Sequence, residues 1–344
     1  MQKKVMVGMS GGIDSSVTAY MLQKEGYEVE GVYLKLHNRT DGYHEKNLEH
    51  IEDVAKFLNL KYHILDLSDK FTQEVYDYFV DSYLEGTTPN PCVKCNKQIK
   101  FGAMLKFAQD KECSYLATGH YAKTDGDFFY EADDKSKDQS YFLSQVDKEA
   151  LPYMMFPLST YKKEDIIKLA EELDEVYKKI TEKNESQEIC FVETVYTDVV
   201  KKHANIDQEG KVLDEDGNII GTHKGYAHYT IGKRRGFVVH GAHEPHFVTK
   251  LNPKDNTIVV GKKAALEINE VIANNLNMYL EKKEFDCTVK LRYRSNSIPC
   301  RVKIEDSKAI ISLKEPAFSV AAGQLAVFYE GQKVIGSAWI EDTK

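Results

Sequence analysis

Two groups of residues have the types and spacing that could do chemistry. The first is Gly8-Met9-Ser10-Gly11-Gly12-Ile13-Asp14-Ser15, directly after the apolar run Val5-Met6-Val7. This pattern predicts a short buried strand, a Ser-Gly-Gly turn and a helix leaving from Asp14-Ser15. Glycines adopt backbone conformations other residues avoid and let main-chain N–H groups approach a ligand closely. Ser15 can cap the new helix, whose N-terminus draws anions. Together these parts make a phosphate cradle. No Gly-Lys-Ser/Thr follows, so this is not a Walker loop, and the Gly-x-Gly-x-x-Gly of a dinucleotide site is absent. An ordinary glycine turn between strand and helix is the plain alternative.

The second group is sulfur. Pro89-Asn90-Pro91-Cys92-Val93-Lys94-Cys95-Asn96-Lys97 reads as a proline-stiffened loop carrying two cysteines three apart. Such a pair serves as a metal half-site, a redox couple or a reactive thiol with a neighbour. Closed zinc sites need a second cysteine or histidine pair at short spacing; none follows, and no metal ligand set is expected. Lys94 and Lys97 are expected to lower a nearby thiol pKa. Cys190 lies in Ser186-Gln187-Glu188-Ile189-Cys190-Phe191-Val192, and taken alone it reads equally well as a core cysteine. Cys113, Cys287 and Cys300 have no companion motif and read as core or incidental.

These residues need elements to hold them. Up to about residue 204 strand-like and helix-like stretches alternate: strands at Val29 to Leu34, Tyr62 to Leu65 and Tyr115 to Thr118, and helical spacing from Leu48 to Leu58, Phe71 to Leu84, Phe101 to Ala108 and Ile166 to Leu173. That alternation predicts an α/β doubly wound parallel sheet, with ligands at the carboxyl ends of its strands. The loop at Gly8 and the pair Gly119-His120 both fall at such ends. Beyond residue 205 the helical period fades. Asp214 to Asn218 reads as a hairpin turn, and short strands follow at Phe247 to Lys250, Ile258 to Val260, Cys287 to Leu291, Cys300 to Ile304, Ile310 to Leu313 and Leu325 to Tyr329. The expected domains are 1–204, then a small β-rich central domain at 205–269 and a C-terminal β-barrel at 270–344.

Composition narrows the function classes. At 42% hydrophobic and 29% charged residues over 344 positions, the chain has material for a large core. No apolar run approaches the about 20 residues that span a bilayer, so no membrane partner is expected. Met1 to Val5 enters the first strand at once, leaving no signal peptide in view; the cytoplasm is the expected compartment, and the six cysteines are then thiols by default. A net charge of -8 argues weakly against nucleic acid, but local charge matters more. Thr222 to His240 holds Lys224, Lys233, Arg234 and Arg235 without an acidic residue, with Tyr226 and Tyr229 interleaved as stacking faces for RNA. Lys290, Arg292, Arg294, Arg301 and Lys303 form a second basic stretch. His240, His243 and His246 read as surface residues.

Six segments in order make a resemblance. They are Gly-Met-Ser-Gly-Gly-x-Asp-Ser, Asn-Pro-Cys-x-x-Cys-Asn-Lys-x-Ile-Lys-Phe, Ala-Thr-Gly-His-Tyr-Ala, Lys-Asp-Gln-Ser-Tyr-Phe-Leu, Ser-Gln-x-Ile-Cys-Phe and Tyr-Thr-Ile-Gly-Lys-Arg-Arg-Gly. The series resembles the bacterial tRNA-specific 2-thiouridylases of the ATP pyrophosphatase (PP-loop) superfamily, from Gly8 to the run ending at Tyr329. That resemblance implies an enzyme that adenylates the C2 oxygen of wobble uridine 34 and replaces it with sulfur from a cysteine persulfide. The products are 2-thiouridine, AMP and pyrophosphate.

The resemblance also assigns residues. Gly8, Met9, Ser10, Gly11, Gly12, Ile13, Asp14 and Ser15 would hold ATP, with Asp14 catalytic beside Mg2+. Leu34 would touch the adenine and Gly119 would line the nucleotide site. Asn90, Pro91 and Cys92 would surround the target base. His120, Lys137, Asp138, Gln139, Lys233, Arg234, Arg235, Arg292, Tyr293 and Gln324 would meet tRNA. Cys95 would be the nucleophile or resolving thiol and Cys190 the persulfide carrier, the two forming a transient disulfide. The implied partners are wobble-uridine tRNAs for Lys, Glu and Gln, and a cysteine desulfurase or sulfur-relay protein. The chain departs from the usual pattern at Cys92, where some members have aspartate, and at Glu185 and Glu188. Rival readings are another PP-loop enzyme acting on tRNA, with or without an iron–sulfur cluster on Cys92, Cys95 and Cys190, and a non-catalytic tRNA-binding protein.

Overall fold

A computed structural model describes residues 3–37, 42–181 and 189–344. Ser186, Gln187 and Glu188 of the Cys190 motif, with Glu185, lie outside the described residues. The chain divides into two compact units. One comprises Met1–Val75, Cys92–Phe191 and Gln332–Ile335; the other comprises Tyr76–Pro91, Val192–Gly331 and Gly336–Lys344.

The first unit is built on strands β1 (Lys4–Gly8), β2 (Glu28–Lys35), β3 (Lys61–Asp66), β4 (Tyr115–Thr118), β5 (Ala122–Thr124), β6 (Phe129–Glu131) and β7 (Met154–Met155). Five of them form a parallel sheet in the order β3-β2-β1-β4-β7. Val5 and Val7 of β1 are fully buried, as parallel strands covered by helices require. Helix α1 (Ile13–Lys24) follows β1, and α2 (Tyr43–Leu58) follows β2. Val17 and Leu22 of α1 join Ile51 and Val54 of α2 in the core with Ile166 and Tyr177. The chain runs outward from β1 to β3, then returns to place β4 on the other side of β1. Gly8 pairs with Val32 on one flank and Thr118 on the other. The strand order therefore reverses between β1 and β4, where open α/β sheets bind their ligands. An antiparallel hairpin of β5 and β6 continues from β4, and Lys333 and Val334 pair with Tyr130 and Phe129 at its edge.

The cysteine segment differs from the expected loop. Pro91–Cys95 is helical and continues through wide, π-type turns at Asn96–Met104 into Leu105–Asp110. Proline suits the first helical position because its missing N–H has no partner there in any case.

The second unit holds two β modules. Strands β8 (Gly210–Leu213), β9 (Ile219–His223), β10 (Phe237–Val239), β11 (Phe247–Asn252) and β12 (Thr257–Gly261) form a five-stranded sheet ordered β10-β9-β8-β12-β11. Asp214 closes the β8–β9 hairpin by accepting Asn218 N–H at 2.7 Å and Asp216 N–H at 3.0 Å. Strands β13 (Glu267–Met278), β14 (Glu284–Lys290), β15 (Ile298–Glu305), β16 (Lys308–Phe318), β17 (Leu325–Glu330) and β18 (Lys333–Thr343) make a closed antiparallel barrel. Pairing of β13 with β18, from Val271 against Thr343 to Met278 against Gly336, closes it. Closure leaves no free sheet edge. Among the described residues, no helix is long and apolar enough to cross a membrane.

One close approach is testable. A Cβ on Gly119 would lie 2.9 Å from the Asp14 carbonyl carbon and the Ser15 nitrogen, whereas one on Gly12 would meet only the Ser10 hydroxyl, at 3.4 Å. Gly119→Ala is expected to cost about 1–3 kcal/mol in urea unfolding, the usual scale of overpacking, and Gly12→Ala less. Equal midpoints for the two variants would show that β4 has room to move from α1.

Candidate functional site

The cradle is assembled at the end of β1. Gly11 takes φ +75°, and a Cβ there would lie 2.8 Å from the Asn47 carbonyl oxygen, so glycine is required by both conformation and space. Ser15 does not cap α1 as the sequence suggested. Gly12 holds the N-cap position in an extended conformation, with no side-chain cap. The Ser15 hydroxyl lies one turn inside, accepting Ser10 N–H at 3.1 Å and donating to Gly12 O at 3.0 Å. It therefore braces the turn, while the first α1 amides keep no side-chain acceptor. A helix start left this way suits an anion.

Asp14 stands at that start. Lys163 donates to both its carboxylate oxygens at 2.7 Å, and Tyr121 Oη donates to Oδ1 at 2.9 Å. Lys163 is buried, on the helix Lys163–Leu173. Neither Lys163 nor Tyr121 was singled out from the sequence; only the fold brings residue 163 to residue 14. Tyr121 is fixed by its neighbour: its backbone N–H donates to Gln139 Oε1 at 3.0 Å, and Gln139 N–H donates to its carbonyl at 2.7 Å. Asp138 is buried, accepting from Ala132 N–H and the Ser140 hydroxyl, each at 2.9 Å. It holds this loop together, and Lys137 beside it is half-buried. Leu34 is half-buried near the end of β2, next to β1.

Gly119 and His120 link the cradle to the thiols. Gly119 backs onto Asp14. His120 is buried, and desolvation holds it neutral, its pKa well below the ordinary value. Lys100 Nζ donates to His120 Nε2 at 3.3 Å, so Nδ1 carries the proton and donates to Thr118 Oγ1 at 2.8 Å. Lys100 is the cation that acts on all three thiols, Cys92, Cys95 and Cys190. It lies five residues after Cys95, in the π-wound stretch. Wide i→i+5 turns bring residues five apart toward one face, where α-helical winding would separate them.

Cys95 is buried, while Cys92 and Cys190 reach solvent. The core-cysteine reading of Cys190 therefore does not hold, although Phe191 and Val192 beside it are buried. Burial pushes the Cys95 thiol up to about 12; Cys92 and Cys190 keep exposed surface, but the dense surrounding chain desolvates their sulfurs, raising Cys92 and pushing Cys190 up to about 11, and Lys100 opposes each shift. The expectation that Lys94 and Lys97 favour thiolate is corrected. Lys97 pairs with Asp147 at 2.9 Å, and Lys94 is depressed by its own burial. Among the described residues, no three His, Cys, Asp or Glu side chains are placed to hold a metal ion.

In the second unit, Asn90 is buried, and its N–H donates to Tyr78 Oη at 3.3 Å. Gln324 Nε2 donates to the carbonyls of Thr88 and Pro89 at 3.0 and 3.1 Å, anchoring the segment that leads to Asn90 and Pro91. Arg292 is half-buried and donates to Ser319 O, with Tyr293 half-buried beside it. The tyrosines expected as stacking faces are structural. Tyr229 is fully buried in the five-stranded module, and Tyr226 Oη donates to Leu84 O at 2.7 Å. Lys233 folds back onto His228 O at 2.7 Å and the Tyr229 ring, while Arg234 and Arg235 are exposed. Two residues of the second basic stretch meet carboxylates: Arg301 pairs with Glu284 and Asp286, and Lys303 with Glu305.

Comparison with known proteins agrees along the whole chain. The family described as tRNA methyl transferase HUP domain matches residues 3–194, the tRNA methyl transferase PRC-barrel domain residues 197–262, and the aminomethyltransferase β-barrel domain residues 268–340. The chain is 80% identical to tRNA-specific 2-thiouridylase MnmA 1 of Aliarcobacter butzleri (strain RM4018), over 100% of this chain and 99% of that protein. Identity is 54% to tRNA-specific 2-thiouridylase MnmA of Sulfurimonas denitrificans, over 99% and 100% of the two chains. It is 53% to that of Campylobacter jejuni (strain RM1221), over 98% and 100%. With the PP-loop cradle and the thiols held in one unit, the chain belongs to the tRNA-specific 2-thiouridylase family of the ATP pyrophosphatase superfamily.

Proposed function

We propose that this chain thiolates wobble uridine 34 of tRNAs for Lys, Glu and Gln, consuming ATP. The observation that carries the reading is the Gly119-His120 link: one residue backs the phosphate cradle and the next holds Lys100, whose charge favours thiolate at Cys92, Cys95 and Cys190. A uridine C2 carbonyl is a poor electrophile with a poor leaving oxygen, and AMP on that oxygen solves both problems. The loop from Gly8 to Gly12 and the α1 amides take the phosphates, with Leu34 beside the adenine. Asp14 suits Mg2+, which typically binds through one or two carboxylates plus substrate phosphates; its carboxylate already faces the positive charge of Lys163. Bound Mg2+ would stabilise the departing pyrophosphate. Lys163 is placed to do the same from the protein side.

Sulfur arrives at Cys190, an exposed thiol that a cysteine desulfurase or relay protein can reach, and is carried there as a persulfide. The terminal sulfur either attacks C2 directly or is released by Cys95 as hydrosulfide, which then attacks. In both routes AMP leaves C2 and Cys95 bonds to the Cys190 sulfur, ending in a Cys95–Cys190 disulfide. Lys100 offsets negative charge on these sulfurs. Asn90, Pro91 and Cys92 surround the base, which must leave the anticodon stack to react. His120, Lys137, Asp138, Gln139, Lys233, Arg234, Arg235, Arg292, Tyr293 and Gln324 complete the tRNA surface. We also propose functional boundaries near residues 204 and 269, with cytoplasmic localisation.

The test is direct. Protein, ATP, Mg2+, unmodified tRNA and a persulfide source should yield 2-thiouridine in digested tRNA, detected by mass; its absence would overturn the reading. Lys163→Met is expected to lower ATP–pyrophosphate exchange by about 10²–10³-fold, the scale of losing one preorganised charge donor, while Cys190 still loads labelled sulfur. Undiminished exchange would remove Lys163 from the adenylation step.

Thiol reactivity follows from the raised pKa values. The thiolate is the nucleophile, and below its pKa its population rises tenfold per pH unit. Alkylation of Cys190 in the free protein should therefore climb through pH 9 and level only near about 11. A plateau near pH 8.5 would show an unperturbed thiol. Arg234→Ala with Arg235→Ala should weaken all substrate tRNAs alike and flatten the salt dependence by roughly 0.7–0.9 per lost phosphate contact; an unchanged slope would leave both as solvated surface.

A further inference from the structure

Cys92 is a thiol that sulfur transfer through Cys95 and Cys190 does not spend. It occupies the second position of the helix Pro91–Cys95, and Cys95 occupies the last. Residues three apart on a helix are neighbours on one face, with Cβ atoms about 5–6 Å apart. That separation is within reach of a disulfide after modest local adjustment. Cys92 and Cys190 reach solvent, and Cys95 between them in chemistry is buried. Each of the outer thiols acts electrostatically on Cys95, and Cys92 acts on Cys190.

This arrangement poses a problem at the end of turnover. The Cys95–Cys190 disulfide must open before Cys190 can accept sulfur again; an external thiol reaches its exposed Cys190 sulfur, and attack there leaves a mixed disulfide on the very thiol that must be reloaded, while the Cys95 sulfur is buried. We propose that Cys92 is the resolving thiol, opening the Cys95–Cys190 disulfide by exchange and freeing Cys190 for reloading. The inference rests on the reading that turnover ends in that disulfide.

The exchange is balanced internally. The Cys92 thiolate attacks Cys95 Sγ; the Cys92–Cys95 bond forms, the Cys95–Cys190 bond breaks, and Cys190 leaves as thiolate. The proton released by the Cys92 thiol is taken up at Cys190, and there is no net oxidation. A dithiol reductant then reaches the exposed Cys92 sulfur and supplies two electrons and two protons, regenerating both helix thiols. The direction of exchange follows from the helix: Cys92 lies one turn from Cys95, so Cys95 Sγ is the disulfide sulfur within its reach, and attack there expels Cys190.

The experiment is a single turnover without reductant. Full-length protein is loaded with persulfide on Cys190 and mixed with ATP, Mg2+ and unmodified tRNA. It is then quenched in acid, alkylated and mapped by peptide mass, with each disulfide normalised to the 2-thiouridine formed. In the unsubstituted protein, the expected products are a Cys92–Cys95 disulfide and an alkylated Cys190. In Cys92→Ser and Cys92→Ala, each Cys95–Cys190 disulfide should match one 2-thiouridine and persist. The ratio of multiple-turnover rate with dithiol to single-turnover rate should fall about tenfold or more. Normalising to product removes any loss in base binding from the comparison. A stable Cys95–Cys190 disulfide in the unsubstituted protein, or an unchanged ratio in both variants, overturns the role of Cys92 alone. Formation of 2-thiouridine in the variants with no Cys95–Cys190 disulfide overturns the underlying reading, and this proposal with it.

Discussion

The close approach of Gly119 to the first turn of α1 is the constraint on which the site depends. Parallel strands β1 and β4 are hydrogen-bonded neighbours, so the segments leaving their carboxyl ends emerge side by side. After β1 comes a turn that needs Gly11; after β4 comes a residue whose missing side chain lets the backbone lie against Asp14 and Ser15. The next residue, His120, then has a fixed position. Its neutral ring turns one nitrogen to Thr118 and the other to Lys100. Two consecutive residues thereby tie the turn after β1 to the stretch that carries Lys100.

Charge in this unit is arranged by partner and not by sequence neighbour. Lys163 answers Asp14 and Lys97 answers Asp147. Lys100 donates to His120 from the π-wound stretch that follows Cys95. Desolvation raises all three thiols above the ordinary range, against the pull of Lys100.

Much of the first unit was legible because its signals are local. An apolar run before Ser-Gly-Gly fixes β1, its turn and α1, and alternation of strand and helix fixes the parallel sheet. What escaped was set by tertiary partners. Ser15 looked like a cap, but Gly12 took that place and Ser15 reached back to Ser10. Two prolines suggested a loop, yet Pro91 starts a helix. Strands β13 and β18 were missed because Asn, Glu and Gly interrupt their apolar pattern, and pairing across the barrel holds them as strands. Tyr226 and Tyr229 looked like an RNA surface; their hydroxyls instead satisfy backbone carbonyls within the second unit. Lys163 matters through a contact with Asp14, 149 positions away, that no local spacing announces.

The last strand has a consequence for how the chain can be made. Residues Gln332–Ile335 belong to the first unit, where Lys333 and Val334 extend the β5–β6 hairpin, and Gly336–Lys344 belong to the second, where they close the barrel. During synthesis from the N-terminus, the parallel sheet is made long before this strand exists, and the other barrel strands precede it. Both units nevertheless wait for it, and such distant pairings are slow to form. The nascent protein therefore carries two unfinished sheet edges, one in each unit, until this strand has been made, and both edges are sealed by a single stretch of chain.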